Sequence, residues 1–373
     1  MSCAVRGWLL SVLAVAGCVL FRGSTLSAAK LHRINHGGTN GACHGAERIL
    51  AGDEIELPAT SRGWHELRKT DPLGLEHLLQ SLSEDNWRRI ERIIREDEDS
   101  TSAAVLVDMF RCCSDERVRR SITRSLADSP RDLVAMAACE VIATTGAGKN
   151  DAKRFWKVHD RLKHLRHRRW MLECIGLTGD LSSVDRLVEI ASLPPSTDLR
   201  GQKVDDGLEW CQWVRAADDA IFMIVGEPET SLPKLSTSTE QRRRALQDAL
   251  ERVKRWKTAT PLRAGKEMIE DFILRLRGPK RMKAQFALMR LTGQYPIGLG
   301  YFWAGVAVEY PEQRWKEYQN AWVRWWKDNK QSLRWNKNHQ CVMAQRKPPP
   351  ALSEFASKKH IIEEFKKMLP HGP

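Results

Sequence analysis

Three histidines lie close together in one strongly basic stretch, and they are the densest group of candidate metal ligands in the chain. His159, His164 and His167 fall within residues 157–169. On a continuous helix, Asp160 and His164 would stand one turn apart, and His164 and His167 would share a face. Such a set could hold a metal ion, but the surrounding lysines and arginines oppose the approach of a cation. The stretch therefore predicts a solvated basic helix face rather than a metal site.

The same stretch is a candidate surface for an anionic partner, such as a phospholipid, an acidic polysaccharide or an acidic protein face. A second basic cluster, residues 242–244, would enlarge this surface if the fold brings the two together. The candidate residues are Arg161, Lys163, His164, Arg166, His167, Arg168, Arg242, Arg243 and Arg244. Nucleic acid also binds basic side chains, but it is a poor candidate partner for a chain that begins with an export signal.

Familiar motifs of catalysis and cofactor binding are missing from the sequence. It contains no Gly-x-Ser-x-Gly, no Gly-x-x-x-x-Gly-Lys-Ser/Thr and no His-Glu-x-x-His. Cys43 and His44 match the end of the haem-attachment motif Cys-x-x-Cys-His, but Asn40 replaces its first cysteine. A Cys-x-x-Cys pair for zinc is also absent. We therefore expect a non-catalytic protein with no cofactor and no bound metal.

Aromatic residues are concentrated near the C-terminal end. Six of the 14 tryptophans lie between Trp303 and Trp335, and those in residues 315–326 are spaced to share one face of a helix. Buried, these rings would seal the last unit of a repeat protein. Exposed, they would stack on a glycan or line an aromatic pocket. The candidate aromatic surface consists of Tyr301, Trp303, Trp322 and Trp325.

Helical periodicity begins at residue 84 and continues along most of the chain. Trp87, Ile90 and Ile94 form one apolar stripe with arginine and glutamate opposite. Four apolar helices then end in a glycine, as a left-handed C-cap requires. These glycines, 33, 47 and 67 residues apart, are Gly146, Gly179, Gly226 and Gly293. The first interval suits one helix-pair repeat, the last about two, and the middle one contains a turn-rich insertion over 194–207.

One of these helix ends carries a family resemblance. Residues 175–187 read Ile-Gly-Leu-Thr-Gly-Asp-Leu-Ser-Ser-Val-Asp-Arg-Leu. This resembles a HEAT-like repeat of the phycobilisome-lyase type, apolar-Gly-x-x-Gly-Asp-x-x-Ala-Val-x-x-Leu, with Ser183 in place of alanine. The resemblance covers about residues 84–330. It implies an all-α, armadillo-type fold, an α-solenoid of stacked HEAT-like helix pairs wound into a right-handed superhelix. No residue pattern supports a transfer of lyase chemistry.

The Trp-rich end carries a second resemblance. Leu-Thr-Gly-Gln at 291–294 is followed by a loop and a helix containing Trp-x-x-Trp-Trp. This order is similar to the C-terminal cap of exported bacterial HEAT-repeat proteins, and it implies no particular activity.

The first residues predict export. Arg6 precedes an uncharged run over residues 8–21 that is too short to span a bilayer comfortably but suits a signal peptide. Cleavage would follow Ala29. Residues 15–18 also resemble a lipobox, in which Cys18 would carry a lipid and provide the chain's one membrane contact. An uncleaved anchor or a false signal is the third alternative. We expect a location in the periplasm or cell envelope.

The predicted organisation has four parts. They are a signal peptide at 1–29, an irregular lead-in at 30–83, a HEAT-like solenoid with a Trp-rich cap at 84–335, and a basic, Pro-rich tail with a short helix at 336–373. Seven cysteines follow residue 29, and we expect buried thiols with at most one disulfide.

The net charge is +13, and it becomes +11 when Arg6 and Arg22 leave with the signal peptide.

The functional hypothesis is a scaffold of the cell envelope that presents a basic helical surface to a protein or an anionic polymer. The alternative is an envelope enzyme that acts on a glycan or small molecule through the aromatic C-terminal loop. The sequence leaves the oligomeric state open.

Overall fold

The computed structural model describes residues 57–70, 72–193, 207–226, 239–278, 280–293, 312–337, 341–345 and 348–350. These residues form fourteen α-helices and one two-stranded sheet, which confirms the predicted all-α class. The helices are α1 (Ser61–Thr70), α2 (Pro72–Ser81), α3 (Glu84–Glu96), α4 (Ser100–Asp108), α5 (Glu116–Ala127), α6 (Asp132–Gly146), α7 (Lys149–Arg161), α8 (Leu165–Thr178), α9 (Val184–Ala191), α10 (Gly207–Val225), α11 (Thr239–Thr258), α12 (Pro261–Arg275), α13 (Arg281–Thr292) and α14 (Glu312–Asn329). The strands are β1 (Arg334–Asn336) and β2 (Cys341–Met343).

Consecutive helices pack as pairs, and the pairs pack on one another in chain order. The pairs are α3 with α4, α5 with α6, α7 with α8, α9 with α10, and α12 with α13. The second helices form a continuous row in which α4 contacts α6, α6 contacts α8, α8 contacts α10, and α10 contacts α13. In the row of first helices α3 contacts α5, while α11 contacts both helices of the pair before it. One hydrophobic core includes buried residues from Leu57 to Val342.

Local signals set the helix boundaries. Ser83 accepts a hydrogen bond from the backbone of Asn86 at the start of α3, and Asp115 accepts two at the start of α5. Such side chains satisfy N–H groups that have no partner within the helix. Trp87, Ile90 and Ile94 are buried on α3, as the apolar stripe predicts.

Three of the four predicted left-handed glycine caps are confirmed. Gly179, Gly226 and Gly293 have φ angles of 66°, 78° and 68° and follow the last residues of α8, α10 and α13, which are second helices of their pairs. Gly146 also has a positive φ, 126°, but it is the last residue of α6, and the C-cap there is Ala147 in an extended conformation. Three successive members of the same row therefore terminate in the same way.

The predicted irregular lead-in is wrong over residues 61–81, where α1 and α2 form. Trp64 and Leu75 are almost fully buried in the common core. Pro72 does not interrupt a helix because it is the first residue of α2, where a missing N–H costs little. The helical body therefore extends upstream of residue 84.

The predicted boundary at residue 335 is also corrected, since it falls inside β1. Trp335 pairs with Val342 across an antiparallel ladder, and β2 packs on α12 and α13. The first part of the expected tail thus belongs to the body.

The signal peptide, Cys18, Cys43 and the expected tail helix lie outside the described residues. Among the helices that are described, none is long and apolar enough to cross a membrane.

Candidate functional site

The basic stretch at 157–169 is not one helix, which corrects its predicted geometry. α7 ends at Arg161, and α8 begins at Leu165. Leu162 turns the chain into an extended conformation and is fully buried, so core packing breaks the helix where no proline or glycine marks a break. Asp160 and His164 are therefore not one helical turn apart. We call Lys163, His164, Arg166 and His167, at this α7–α8 connection, the basic junction.

Cations of the basic junction face solvent. Lys163, His164 and Arg166 are exposed, and His167 is half-buried. The ion pairs found among the described residues include none of these four side chains. The rings of His164 and His167 meet edge to face with centroids 5.5 Å apart. The junction thus holds four groups that carry or can acquire positive charge, without a carboxylate bound to any of them in the described part of the chain.

Two of the predicted surface residues have internal partners instead. Arg161 Nε lies 3.2 Å from Asp132 Oδ1 on α6, and Arg168 Nε donates to the carbonyl oxygen of Leu162 at 2.8 Å. Both are half-buried. Arg161 thus links α7 to α6, and Arg168 bonds within the α7–α8 connection, so both are less available to a partner than the basic junction.

The start of α8 adds to the positive potential. His164 is the N-cap residue but makes no capping hydrogen bond with its side chain, and the first turn contains no acidic residue. The partial positive charge of the helix N-terminus is therefore not compensated locally. Burial, together with the nearby Arg166 and His164, lowers the pKa of His167, whereas Asp132 opposes that shift.

The second basic cluster lies on α11, away from the α7–α8 connection. Arg244 is exposed on α11, which packs against α9 and α10, whereas the basic junction connects α7 to α8. The side chains of Arg242 and Arg243 lie outside the description. The α9–α10 pair therefore lies between the two clusters, and the contacts described do not bring them together.

The candidate aromatic surface is corrected for two of its members. Trp322 and Trp325 are buried, 1% and 5% exposed. Trp315, Tyr318, Trp322 and Trp325 form a chain of edge-to-face ring contacts along α14, with centroids 6.0, 6.3 and 5.3 Å apart. Large rings at one end of the core exclude water there, and once buried they cannot stack on a ligand. Tyr301 and Trp303 lie outside the described residues.

The sequence did not predict two polar clusters that join helices of the second-helix row. Arg111 donates to Asp108, to the hydroxyl of Thr144 and, at 2.6 Å, to Glu140. Although burial opposes ionisation of Asp108, the charges of Arg111 and Arg68 keep its pKa below the usual range. This cluster joins α4 to α6.

Lys283 lies in the second cluster, between carboxylates on α8 and α10. Its Nζ is 3.6 Å from Glu173 and 3.8 Å from Asp219. Burial disfavours the ammonium, but these two carboxylates raise the pKa of Lys283 above its ordinary value. The one available signal was a lysine within the apolar pattern of α13. With the neighbouring Arg169, the cluster contains two cations and two anions, so its charges balance internally and it suits cohesion of three helices better than capture of a charged ligand.

His159, the first histidine of the stretch, is buried rather than part of a surface. Its Nδ1 lies 3.0 Å from Asp160 Oδ1, and its ring contacts Trp156 and Trp213 at centroid distances of 5.2 and 6.3 Å. Nε2 has no hydrogen-bond partner among the residues that the structure describes. Burial lowers the pKa of His159. The ring is therefore a neutral part of the core between α7 and α10.

A small cavity opens between α11 and α12. Its volume is about 140 Å³, and it is lined by Arg252, Arg255, Trp256, Glu267, Met268 and Asp271. Pockets for substrates or cofactors usually measure roughly 300–1,000 Å³. This cavity is therefore too small for a ligand of that size.

The described cysteines are free thiols, and no disulfide joins any of them. Cys112, Cys113, Cys139, Cys174 and Cys341 are buried, and Cys211 is half-buried. Burial raises the pKa of Cys112, Cys139 and Cys174 far above the usual range. Within the same residues, no group of three or more potential ligands is arranged for a metal ion.

Comparisons with family models, with curated proteins and with solved structures gave no match.

The motif at 175–187 retains the local geometry that its pattern suggests. Gly179 caps α8, Asp180 accepts a hydrogen bond from the backbone of Ser182, and Val184 and Leu187 are buried on α9. The function has to be inferred from the chain's own geometry.

Proposed function

We propose that this protein is a non-catalytic scaffold of the cell envelope, an α-solenoid of HEAT-like helix pairs in a right-handed superhelix. Its basic junction binds an acidic partner, either a protein face or an anionic polymer. The N-terminal apolar run supports export, and both cleavage after Ala29 and lipidation at Cys18 would place the protein in the cell envelope.

Polar contacts between successive helix pairs support the solenoid. Arg124 on α5 binds Asp151 on α7, and Arg154 on α7 binds Asp128 after α5. Arg186 on α9 binds Asp160 on α7. The partners are separated by 27, 26 and 26 residues.

Longer separations occur at the start of the stack. Arg117 on α5 binds Glu84 on α3, and Arg95 on α3 binds Ser125 on α5, at separations of 33 and 30 residues. A recurring separation of this size is what stacked helix pairs produce, because each pair contacts the next.

The unpaired cations of the basic junction carry the binding proposal. Elsewhere in the row of first helices most arginines face a carboxylate of the same or the adjacent helix, as Arg88 faces Glu91 and Arg124 faces Asp151. Lys163 and Arg166 lack such a partner within the described residues and are exposed. Clustered cations attract anionic macromolecules and steer their encounter.

The test is binding of the full chain to immobilised poly-L-aspartate and to dextran sulfate, measured over a series of NaCl concentrations. We expect binding that weakens as salt rises. Lys163→Gln with Arg166→Gln should weaken it roughly two- to thirtyfold, because two exposed ion pairs contribute about 0.2–1 kcal/mol each.

Arg89→Gln with Arg92→Gln is the matched control, since both arginines are exposed on α3 and the net charge falls equally. This variant should bind nearly as well as the wild type. Equal losses in the two double variants would show that only overall charge matters, and would remove the basic junction from the proposal.

A further inference from the structure

A line of lysines runs along the outer side of α14. Lys316, Lys327 and Lys330 are exposed, and the half-buried Val323 lies among them. Steps of seven, four and three residues keep these four positions on one side of a helix, and the buried aromatic residues of α14 lie on the opposite side. At a rise of 1.5 Å per residue, the line is about 21 Å long.

An exposed leucine of α12 lies beside this line. Leu274 is 67% exposed, although most large apolar side chains in the described part of the chain are buried. Gln319, which follows the same line of α14, donates to the carbonyl oxygens of Ile273 at 2.9 Å and of Leu274 at 3.3 Å. These hydrogen bonds hold the end of α12 against the lysine side of α14. We call the combined surface the terminal face, and it consists of Leu274, Lys316, Val323, Lys327 and Lys330.

The lysines of the terminal face have no carboxylate partner among the described residues. Glu312 is the one acidic residue of α14 that is aligned with them, and Arg281 binds it at 2.7 Å. On α12, Glu270 is exposed one turn before Leu274, so the positive charge of the face comes from α14. The terminal face therefore combines three uncompensated cations with an apolar side chain that is open to solvent.

We propose that the terminal face docks on an anionic phospholipid surface, with its lysines at the headgroups and Leu274 between the lipids. Lysines close to such a surface are attracted to it, and apolar side chains on the same face gain free energy by leaving water. Because the lysines follow one side of a helix, a flat surface meets all three at once. A soluble polyanion would satisfy the same charges but would leave Leu274 in water, so the lipid surface is the better fit.

This contact goes beyond the proposed function, because it uses other elements and another kind of partner. The basic junction connects α7 to α8, whereas the terminal face is built from α12 and α14. Each binding surface can therefore fail its own test without the other.

The first test measures sedimentation of the full chain with two kinds of vesicle, phosphatidylcholine alone and equal parts of phosphatidylcholine and phosphatidylglycerol. We expect tighter binding to the anionic vesicles, and this binding should weaken as salt rises. Lys327→Gln with Lys330→Gln should weaken it roughly five- to twenty-fivefold, because each lysine near an anionic surface contributes up to about fivefold. Arg89→Gln with Arg92→Gln removes the same charge from α3 and should bind nearly as well as the wild type.

The second test reads the contact of Leu274 directly. Leu274→Cys, labelled with a fluorophore sensitive to polarity, should shift its emission to shorter wavelength on the anionic vesicles. Leu208→Cys is the matched control, because Leu208 on α10 is also 67% exposed, and its label should show no such shift. The wild type, labelled in the same way, gives the background from its own cysteines. Because the readout is local, it reports contact of this face even when the N-terminal apolar run also binds lipid.

Three results would overturn the membrane contact. If the α3 variant loses as much binding as the α14 variant, net charge rather than the terminal face attracts the vesicles. If the label at position 274 shifts no more than the label at position 208, the face does not touch the lipid. If the two α14 lysines affect binding to poly-L-aspartate but not to the vesicles, the partner is a soluble polyanion. None of these results affects the basic junction, whose test varies other residues.

Discussion

The guanidinium of Arg290 lies directly against Gly179. A Cβ atom on residue 179 would stand 1.5 Å from Nη1 and 2.6 Å from Cζ of that arginine. From this position, Nη2 of Arg290 donates to the carbonyl oxygen of Met223 at 2.9 Å. One side chain of α13 thus joins the C-terminal ends of α8 and α10, and it can do so because residue 179 has no side chain.

Gly179→Ala should lower the free energy of unfolding by about 1–3 kcal/mol. A left-handed conformation costs a residue with a Cβ roughly 1–2 kcal/mol, and φ at this position is 66°. Arg290 must also move, which removes its hydrogen bond to Met223. Urea unfolding followed by far-UV circular dichroism measures the difference.

Gly148→Ala provides the control for that experiment. Gly148 has φ of −104°, and a Cβ there would meet nothing within 4 Å. We expect a change below about 0.5 kcal/mol, since the new methyl group requires neither strain nor displacement. Equal losses of stability in the two alanine variants would contradict this prediction. They would show that neither the left-handed conformation nor the contact with Arg290 requires a glycine at position 179.

The glycine caps could be predicted from the sequence because a C-cap is a local feature. Each depends on a few preceding apolar residues and on a conformation that glycine adopts freely. The stripe at Trp87, Ile90 and Ile94 was equally local. The all-α class followed from these short-range patterns.

Features that depend on distant partners could not be predicted. Lys283 meets Glu173 and Asp219 only after α8, α10 and α13 have packed, so no spacing along the chain indicates the cluster. The break at Leu162 is similar: the residue is apolar and carries no turn signal, and it ends α7 because its side chain enters the core. The cations of the basic junction were identified from composition, but which of them remain unpaired depends on that break.

Arg111→Met should be among the most damaging single changes in the described part of the chain. It would leave Glu140, which is 9% exposed, and Asp108 without their buried cation. Removing one partner of a buried ion pair typically costs about 3–5 kcal/mol. Calorimetry should therefore show a strongly reduced melting temperature, or failure to fold at 37 °C.

Two further variants make the Arg111 prediction specific. Arg88→Met removes an arginine that is 41% exposed and bound to Glu91, so a loss of at most about 1 kcal/mol is expected. Arg111→Met combined with Glu140→Leu should recover part of the stability, because the buried carboxylate of Glu140 is then removed and Asp108 keeps its ion pair with Arg68. A combined variant no more stable than Arg111→Met would indicate that the loss comes from packing rather than from charge.

His159 should make the fold less stable in mild acid. Asp160 stays ionised throughout, with a pKa of about 2: burial opposes its charge, but hydrogen bonds from His159 and Arg186 outweigh that effect. Its Oδ1 therefore accepts a hydrogen bond from the Nδ1–H group of His159, while the buried Nε2 has no hydrogen-bond partner among the described residues. Burial lowers the pKa of His159 in the folded state, and the unfolded chain takes up a proton near pH 6.5.

The unfolded state consequently binds more protons than the folded state below pH 6.5. The free energy of unfolding is at its full value above that pH and falls as the pH is lowered toward the folded-state pKa of His159. From pH 7.5 to 5.5 the loss from this ring is at most about 1.4 kcal/mol, because one proton contributes roughly 1.36 kcal/mol per pH unit. Urea unfolding of His159→Phe should show a correspondingly smaller decrease, whereas the exposed control His77→Gln should keep the wild-type decrease. If His159→Phe retains the full decrease, protonation of another group is responsible.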